Sequence, residues 1–222
     1  MAALYYSKRM DVYIHIARGA KDEGSPPEAK WYGLWNHFLT LIAADDERLF
    51  VFPQMDIRVL TDNETGAINK STRYTDHALL DSMTEYANDL ETIIRVVKKI
   101  LLFLEVKAEG KSKEDAEEEV LEQIRHYFWM QDKDSDIQVI AISAIGASWA
   151  WANVQRSAGT SPAAQSSRAA AVYMQERPDV AFTTPRPNEM DPNRWSTYAE
   201  VGGLESNRQL QKVLSIIATR RL

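Results

Sequence analysis

Three side chains carry the strongest chemical signal in this chain: Asp76 on one strand-like run, and Glu105 and Lys107 at the end of another. Glutamate and lysine two apart on a strand point to the same face of a sheet. Both close the apolar run KKILLFLEVKA, residues 98–108, beside Leu101, Leu102, Phe103 and Leu104. Opposite charges in such a place cost free energy unless they are paired, hydrated or bound to a metal. Metal-assisted hydrolysis of a phosphodiester needs acidic ligands at fixed positions and a group that orients or deprotonates water. It also needs stabilisation of the charge that develops on phosphorus. If the two strands are neighbours, the carboxylates of Asp76 and Glu105 converge on one Mg²⁺. The carbonyl of Val106 is then a third ligand, and Lys107 lies beside the attacking water or a phosphate oxygen.

Several elements must form to hold these groups. Residues 1–24 show a strand-like alternation at Val12, Ile14 and Ile16. Ser25-Pro26-Pro27-Glu28 reads as a helix start, with a capping serine, prolines in the first turn and an acid near the positive dipole end. Trp31, Leu34, Trp35, Phe38, Leu41 and Ile42 follow at helical spacing. The β-rich run 49–60 is broken at Pro53, which suits an edge, bulge or bend. Residues 61–71 read as a turn or hairpin loop. Residues 74–80 form a short second strand carrying Asp76, and the polar stretch 81–91 is a loop insertion or short helix. Residues 93–108 are the third strand.

Ser112 opens an acidic helix with Asp115 at capping-box spacing, and Ala116, Val120, Ile124, Tyr127 and Phe128 form its apolar stripe. From Asp136 the chain begins a near-continuous apolar strand of the kind covered on both faces. Strand, helix and strand in succession imply a parallel crossover. Residues 157–193 shift to Ser, Ala, Pro and Arg, a loop or lid composition. Ser206 or Asn207 caps a last helix with Leu210, Val213, Leu214 and Ile217 as its stripe, and Arg220 and Arg221 suit its negative end.

Composition narrows the function classes. The 222 residues suffice for one good core. With no cysteine, disulfides, thiolate zinc sites and cysteine nucleophiles are excluded. The absence of cysteine fits an intracellular setting, cytoplasm or nucleus. The first 24 residues lack the apolar core of a signal peptide and no run reaches membrane-spanning length. The glycosylation matches at Asn63 and Asn69 are therefore read as accidental. A net charge of −6 argues against coating nucleic acid broadly but leaves room for a local basic groove. Lys98, Lys99, Lys107, Lys111 and Lys113 crowd one region. The acidic run 114–119 reads as a solvated helix face.

The motifs Thr75-Asp76 and Glu105-Val106-Lys107, in this order of elements, resemble the PD-(D/E)XK nuclease superfamily. Gln123 and Tyr127, on adjacent turns of one helix face, are similar to the QxxxY motif of its RecB-type branch. Pro53-Gln54, Asp76, Glu105-Lys107 and the Gly146-Ala147-Ser148-Trp149-Ala150-Trp151 ending also resemble uncharacterised fungal members. The resemblance covers roughly residues 25–155. It implies an α/β fold, the restriction-endonuclease-like αβββαβ core, with a central mixed sheet flanked by helices. Residues 1–156 would be the nuclease-like domain with an N-terminal extension. Residues 157–222 would be a polar loop or lid ending in a helix packed on that domain.

The implied activity is Mg²⁺- or Mn²⁺-dependent cleavage of DNA or RNA. Asp76, Glu105 and Val106 would hold the metal, Lys107 would position water, and Gln123 would orient a phosphate or the surroundings of Lys107. The chain departs from the family pattern at Thr75, where a proline is usual, and in having only Glu28 for the acid often supplied by the first helix. The alternatives are a catalytically inactive nuclease fold serving as a protein- or nucleic-acid-binding module, and an unrelated α+β interaction domain with a simple Glu105–Lys107 salt bridge. His15, His37, His77 and His126 show no ligand spacing. Trp149 and Trp151 read as packing residues.

Overall fold

The computed structural model describes residues 2–20, 27–44, 46–62, 68–86, 93–130, 137–156 and 195–220. The elements are α1 (Ala2–Gly19), α2 (Ala29–Ala43), β1 (Leu49–Asp62), β2 (Ile68–Tyr86), β3 (Ile93–Lys107) and α3 (Lys113–Met130). They continue with β4 (Ile137–Ile145), β5 (Ser148–Arg156), β6 (Ala199–Glu200) and α4 (Leu204–Thr219). This is a mixed α/β fold around one six-stranded sheet in the order β1-β2-β3-β4-β5-β6. Every neighbouring pair is antiparallel except β3 and β4, which run parallel. The crossover between those two is α3, as the strand–helix–strand succession requires.

Two apolar layers sandwich the sheet. On one face Met10 and Ile14 of α1, Trp31, Leu34, Trp35 and Phe38 of α2, and Val213 and Ile217 of α4 pack on Leu79, Leu102, Leu104, Ile140, Trp149 and Trp151. On the other, Val120, Ile124, Tyr127 and Phe128 of α3 pack on Ala78, Leu80, Phe103, Ala141 and Val154. Consecutive residues of β2, β3 and β4 thus alternate between the layers, as a sheet covered on both sides demands, except at the β3 bulge, where Leu101 and Leu102 both pack in the α2 layer. The Trp149 and Trp151 rings are fully inside, as their reading as packing residues expects.

The N-terminal segment corrects the sequence reading, since residues 2–19 are helical rather than strand-like. Val12 and Ile16 are 58% and 60% exposed, while Met10, Ile14 and Ala17 are buried. The buried set recurs at steps of four and three, the helical period. A chance alternation of β-branched residues had mimicked a strand. The helix after Glu28 begins at Ala29, with no side-chain cap bond at Glu28; Ser25 and Pro26 lie outside the described residues.

Strand lengths also differ. β1 reaches Asp62 and β2 starts at Ile68, so the region expected as a loop at 61–71 is mostly strand; residues 63–67 lie outside the described residues. β2 also runs on to Tyr86 through the polar stretch expected as a loop or short helix. Pairing with β3 along that stretch outweighs its poor strand composition, because strand preference is set by neighbours more than by residue type. Residues 87–92 lie outside the described residues. β1 is an edge strand, which accommodates Pro53.

At Gln54 the β1 backbone turns left-handed, with φ +50°. Val51 packs with the α2 layer and Met55 with the α3 layer, although residues four apart on a regular strand share a face. Gln54 is where the alternation changes hand.

The apolar run after Asp136 is two strands, β4 and β5, joined at Gly146-Ala147. Gly146 has φ +58°, and a Cβ there would meet Glu109 at 3.1 Å and Trp31 at 3.3 Å. The turn therefore needs a residue without a side chain. Trp35 Nε1 donates to the Gly146 carbonyl at 2.9 Å, and the Gly146 N–H donates to the Lys107 carbonyl at 2.9 Å. The hairpin tip is thereby pinned to the end of β3.

The cap of α3 matches expectation. The Asp115 N–H donates to Ser112 Oγ at 3.2 Å, and the apolar stripe is buried. In contrast, α4 starts at Leu204 after Gly203, earlier than Ser206 or Asn207. The Ser206 hydroxyl is buried and accepts the Trp149 indole N–H at 2.8 Å, so it serves packing rather than capping. Leu214 is 38% exposed, and the buried face of α4 is Ser206, Gln209, Val213 and Ile217. Arg220 follows the helix as expected; Arg221 and residues 157–193 lie outside the described residues. Among the described residues no helix is long and apolar enough to cross a membrane.

Candidate active site

Where the β2–β3 ladder stops, the acidic residues begin. Its last pair is His77 with Leu104, so the next positions in register are Asp76 and Glu105. Beyond that point β3 stays paired with β4 through Lys107, and β2 stays paired with β1 down to Ile68. The sheet forks at the two carboxylates.

Side chains replace the missing ladder. Thr75 Oγ1 lies 3.3 Å from the Leu104 carbonyl and 2.9 Å from that of His77. The Val106 N–H donates to Asp76 Oδ2 at 2.7 Å. These bonds satisfy backbone groups that the fork would leave bare. They also fix Asp76 against the backbone of the Glu-x-Lys triplet. Val106 thus meets Asp76 through its N–H, a contact the sequence did not suggest.

Asp76, Glu105, Lys107 and Gln123 are brought together. Lys107 Nζ donates to Glu105 Oε1 at 2.8 Å and also pairs with Glu119 of α3. Gln123 Nε2 donates to Glu105 Oε2 at 2.5 Å. Glu119 and Gln123 are four apart, so one face of α3 presents both to the site. Tyr127, one turn further, packs its ring against Phe103 in the α3 layer instead.

From the opposite layer, Tyr32 of α2 reaches through the fork and donates its hydroxyl to Asp76 Oδ1 at 2.9 Å. Tyr32, Glu119 and Thr75 were not foreseen as site residues. The available signals were the Glu28/Tyr32 and Glu119/Gln123 spacings of four.

Electrostatics distinguish the two acids. Burial, reinforced by the charge of Asp76, raises the Glu105 carboxyl to about 7, against the lowering effects of Lys107 and Gln123. Burial also raises Asp76, opposed by the Val106 N–H and the Tyr32 hydroxyl, while the charge of Glu28 pushes it further up. Glu28 therefore acts on the site through its field. For Lys107, the hydrogen bonds to Glu105 and Glu119 outweigh burial, and its pKa moves up. Burial and the Asp76 charge raise Tyr32. His77 is on the α2 side, edge-on to Tyr32 at 5.8 Å, and burial lowers it to about 4. It is a neutral packing residue at neutral pH.

Among the described residues no group of three or more histidine, aspartate or glutamate side chains converges as a metal cluster. The donor set fits a hard cation that keeps several of its waters, as Mg²⁺ does with one or two carboxylates. Each carboxylate oxygen here accepts one protein donor and retains further lone-pair capacity. Gln123 Oε1 is buried and without a partner, an acceptor facing no donor beside Glu105. Burial and, after it, the charge of Asp76 disfavour the ionised form of Glu105, and a cation between the two acids would favour it.

No family model matches the chain, and no curated protein matches it in sequence.

The Tyr32→Phe variant tests the bridge through the fork. Losing a bond to a partly buried carboxylate is expected to cost roughly 1–2 kcal/mol, read as a lower urea midpoint at pH 8. It should also move the Asp76 pKa further up, because one of the two bonds that favour its charged form is gone. An unchanged midpoint would show that Tyr32 contributes nothing to holding Asp76.

Proposed function

We propose that this protein is a divalent-metal-dependent nuclease of the PD-(D/E)XK type. One observation carries the reading: Asp76 and Glu105 are next in register where β2 and β3 part, with Lys107 Nζ 2.8 Å from Glu105. The succession α2, β1, β2, β3, α3, β4, with β3 and β4 parallel, supports a restriction-endonuclease-like core.

Asp76 and Glu105 would hold Mg²⁺ or Mn²⁺, which supplies charge stabilisation on phosphorus and a more acidic bound water. Lys107, paired with Glu105 and Glu119, would hold the attacking water or a phosphate oxygen through its ammonium. Glu119 keeps Lys107 charged and held toward α3. Gln123 holds the second oxygen of Glu105, and its own carbonyl is available to a water. Tyr32 and the Val106 N–H keep Asp76 oriented without neutralising it.

The second reading, a nuclease-like fold that binds without cutting, draws on the same contacts. Every oxygen of the two carboxylates already has a protein donor. Incubation of labelled DNA and RNA with the protein separates the readings. Cleavage with Mg²⁺ or Mn²⁺ that stops on chelation is expected. Binding without cleavage at any divalent concentration would select the binding module.

A further inference from the structure

The lysines that crowd residues 98–113 in sequence separate in space. Lys99 donates to the Arg220 carbonyl at 2.6 Å, eight residues and roughly 25 Å back along β3 from Lys107. Lys107 itself is taken by Glu105 and Glu119. Lys113 differs: its ammonium stands 4.9 Å from the centre of the Tyr198 ring and forms no ion pair among the described residues.

Tyr198 ties that cation to the candidate site. Glu105 is paired with Ser143 of β4, Ser143 with Ala150 of β5, and Trp149 with Ala199 of β6. Tyr198 is therefore next in the row, beside Ala150. Phe103, Ala141 and Ala152 lie in the α3 layer, so Glu105, Ser143 and Ala150, each two residues away, face α3 as well. The small Ala150 leaves room for the Tyr198 side chain to cross β5, and its hydroxyl lies 2.6 Å from Ser143 Oγ. The same hydroxyl donates to Glu117 of α3. Along α3, Gln123 reaches Glu105 and Glu119 reaches Lys107. Lys113 is six residues nearer the start of that helix than Glu119, roughly 9 Å along its axis. It thus flanks the Glu105–Lys107 pair on the side away from Asp76.

We infer that Lys113, seated on Tyr198, holds the phosphate next to the one at Asp76 and Glu105, so that the substrate is a nucleotide chain rather than an isolated phosphodiester. The inference rests on the nuclease reading for the position of the first phosphate. An ammonium over a ring face is held in place without being neutralised, whereas one paired with carboxylates, as Lys107 is, has its charge cancelled. Phosphate is the anion that a nucleotide chain repeats at every step. Glu114 and Glu117 adjoin the ring and the chain carries net charge −6, so this is a single contact and not a basic groove. Tyr198 acts through Lys113 and is a positioning residue.

The test reads binding and cleavage on the full chain. Fluorescence anisotropy of labelled single-stranded DNA and RNA of about 15 nucleotides is followed over a range of salt, with Glu105→Gln suppressing cleavage. Adding Lys113→Gln should weaken binding roughly fivefold and lower the log–log salt slope by about 0.7, the share of one phosphate contact. Lys113→Arg should restore the slope. Tyr198→Leu, which removes the seat of the ammonium, should weaken binding in the same direction. With an intact Glu105 and Mn²⁺, Lys113→Gln should raise KM for the oligonucleotides at least about fivefold more than KM for bis(para-nitrophenyl) phosphate, which carries a single phosphate. A slope unmoved by Lys113→Gln, binding unmoved by Tyr198→Leu, equal losses on the two substrates, or no binding overturns the inference. A slope lowered by Lys113→Gln, when the wild type cuts neither substrate, sinks the nuclease reading alone. Oligonucleotide cleavage with the slope unmoved sinks only the Lys113 contact.

Discussion

Glu105→Gln and Lys107→Ala are each expected to lower metal-dependent cleavage by about 10²–10³-fold, the scale of losing one preorganised charged group at a reacting centre. Glu105→Gln keeps the volume and one acceptor oxygen for either Lys107 or Gln123, both of which donate to the carboxylate, while removing the charge a cation needs. Lys107 stays folded in place in that variant, because Glu119 still pairs with it. The Lys107→Ala variant keeps both carboxylates but leaves the Glu105 charge without its nearest cation, so its pKa should rise further above 7. The two variants separate by mechanism: Glu105→Gln loses metal affinity, whereas Lys107→Ala loses turnover with metal still bound above pH 8. Circular dichroism of both should match the wild type. Activity surviving in both would remove the catalytic assignment.

Proton linkage gives the second large effect. Burial and Asp76 raise Glu105 from 4.5 to about 7, so between those values the folded chain binds a proton that the unfolded chain has released. Stability contributed by this group is fully present below about pH 4.5 and is lost as pH rises through about 7. A shift of this size corresponds to roughly 3 kcal/mol. The metal-free protein should therefore unfold at lower urea at pH 8 than at pH 5.5, and Glu105→Gln should flatten that dependence. A cation competes with the same proton. Metal affinity should climb up to about tenfold per unit below pH 7 and level off above it, as calorimetry at several pH values would show. A pH-independent urea midpoint would contradict the burial of this acid.

The site was more legible than the fold around it. The Glu105-Val106-Lys107 triplet stands out because it ends an apolar strand, where charge is costly and so carries information. The reach of Gln123 was legible from its resemblance, with Tyr127, to the QxxxY motif on one face of α3. Tyr32 could not, because its neighbours Trp31 and Trp35 dominate the pattern of α2, and the contact with Asp76 passes through a gap between strands. That gap depends on where a ladder ends, which local sequence does not encode.

The same limit explains the fold-level misreadings. The polar half of β2 is strand because β1 and β3 pair with it, and α1 is helical although β-branched residues alternate within it. The turn at Gly146 was visible only as a glycine inside an apolar run. Its meaning, close packing of Glu109 and Trp31 around the turn, is tertiary.

The central claim is that Asp76 and Glu105 make one divalent-cation site. Mn²⁺ binding to the full chain, followed by paramagnetic resonance of the free ion at pH 8, tests it most directly. One Mn²⁺ per chain, displaced by Mg²⁺ and lost in both Asp76→Ala and Glu105→Gln, is the predicted result. Stoichiometric binding that survives both substitutions, or none at millimolar Mn²⁺, would contradict it.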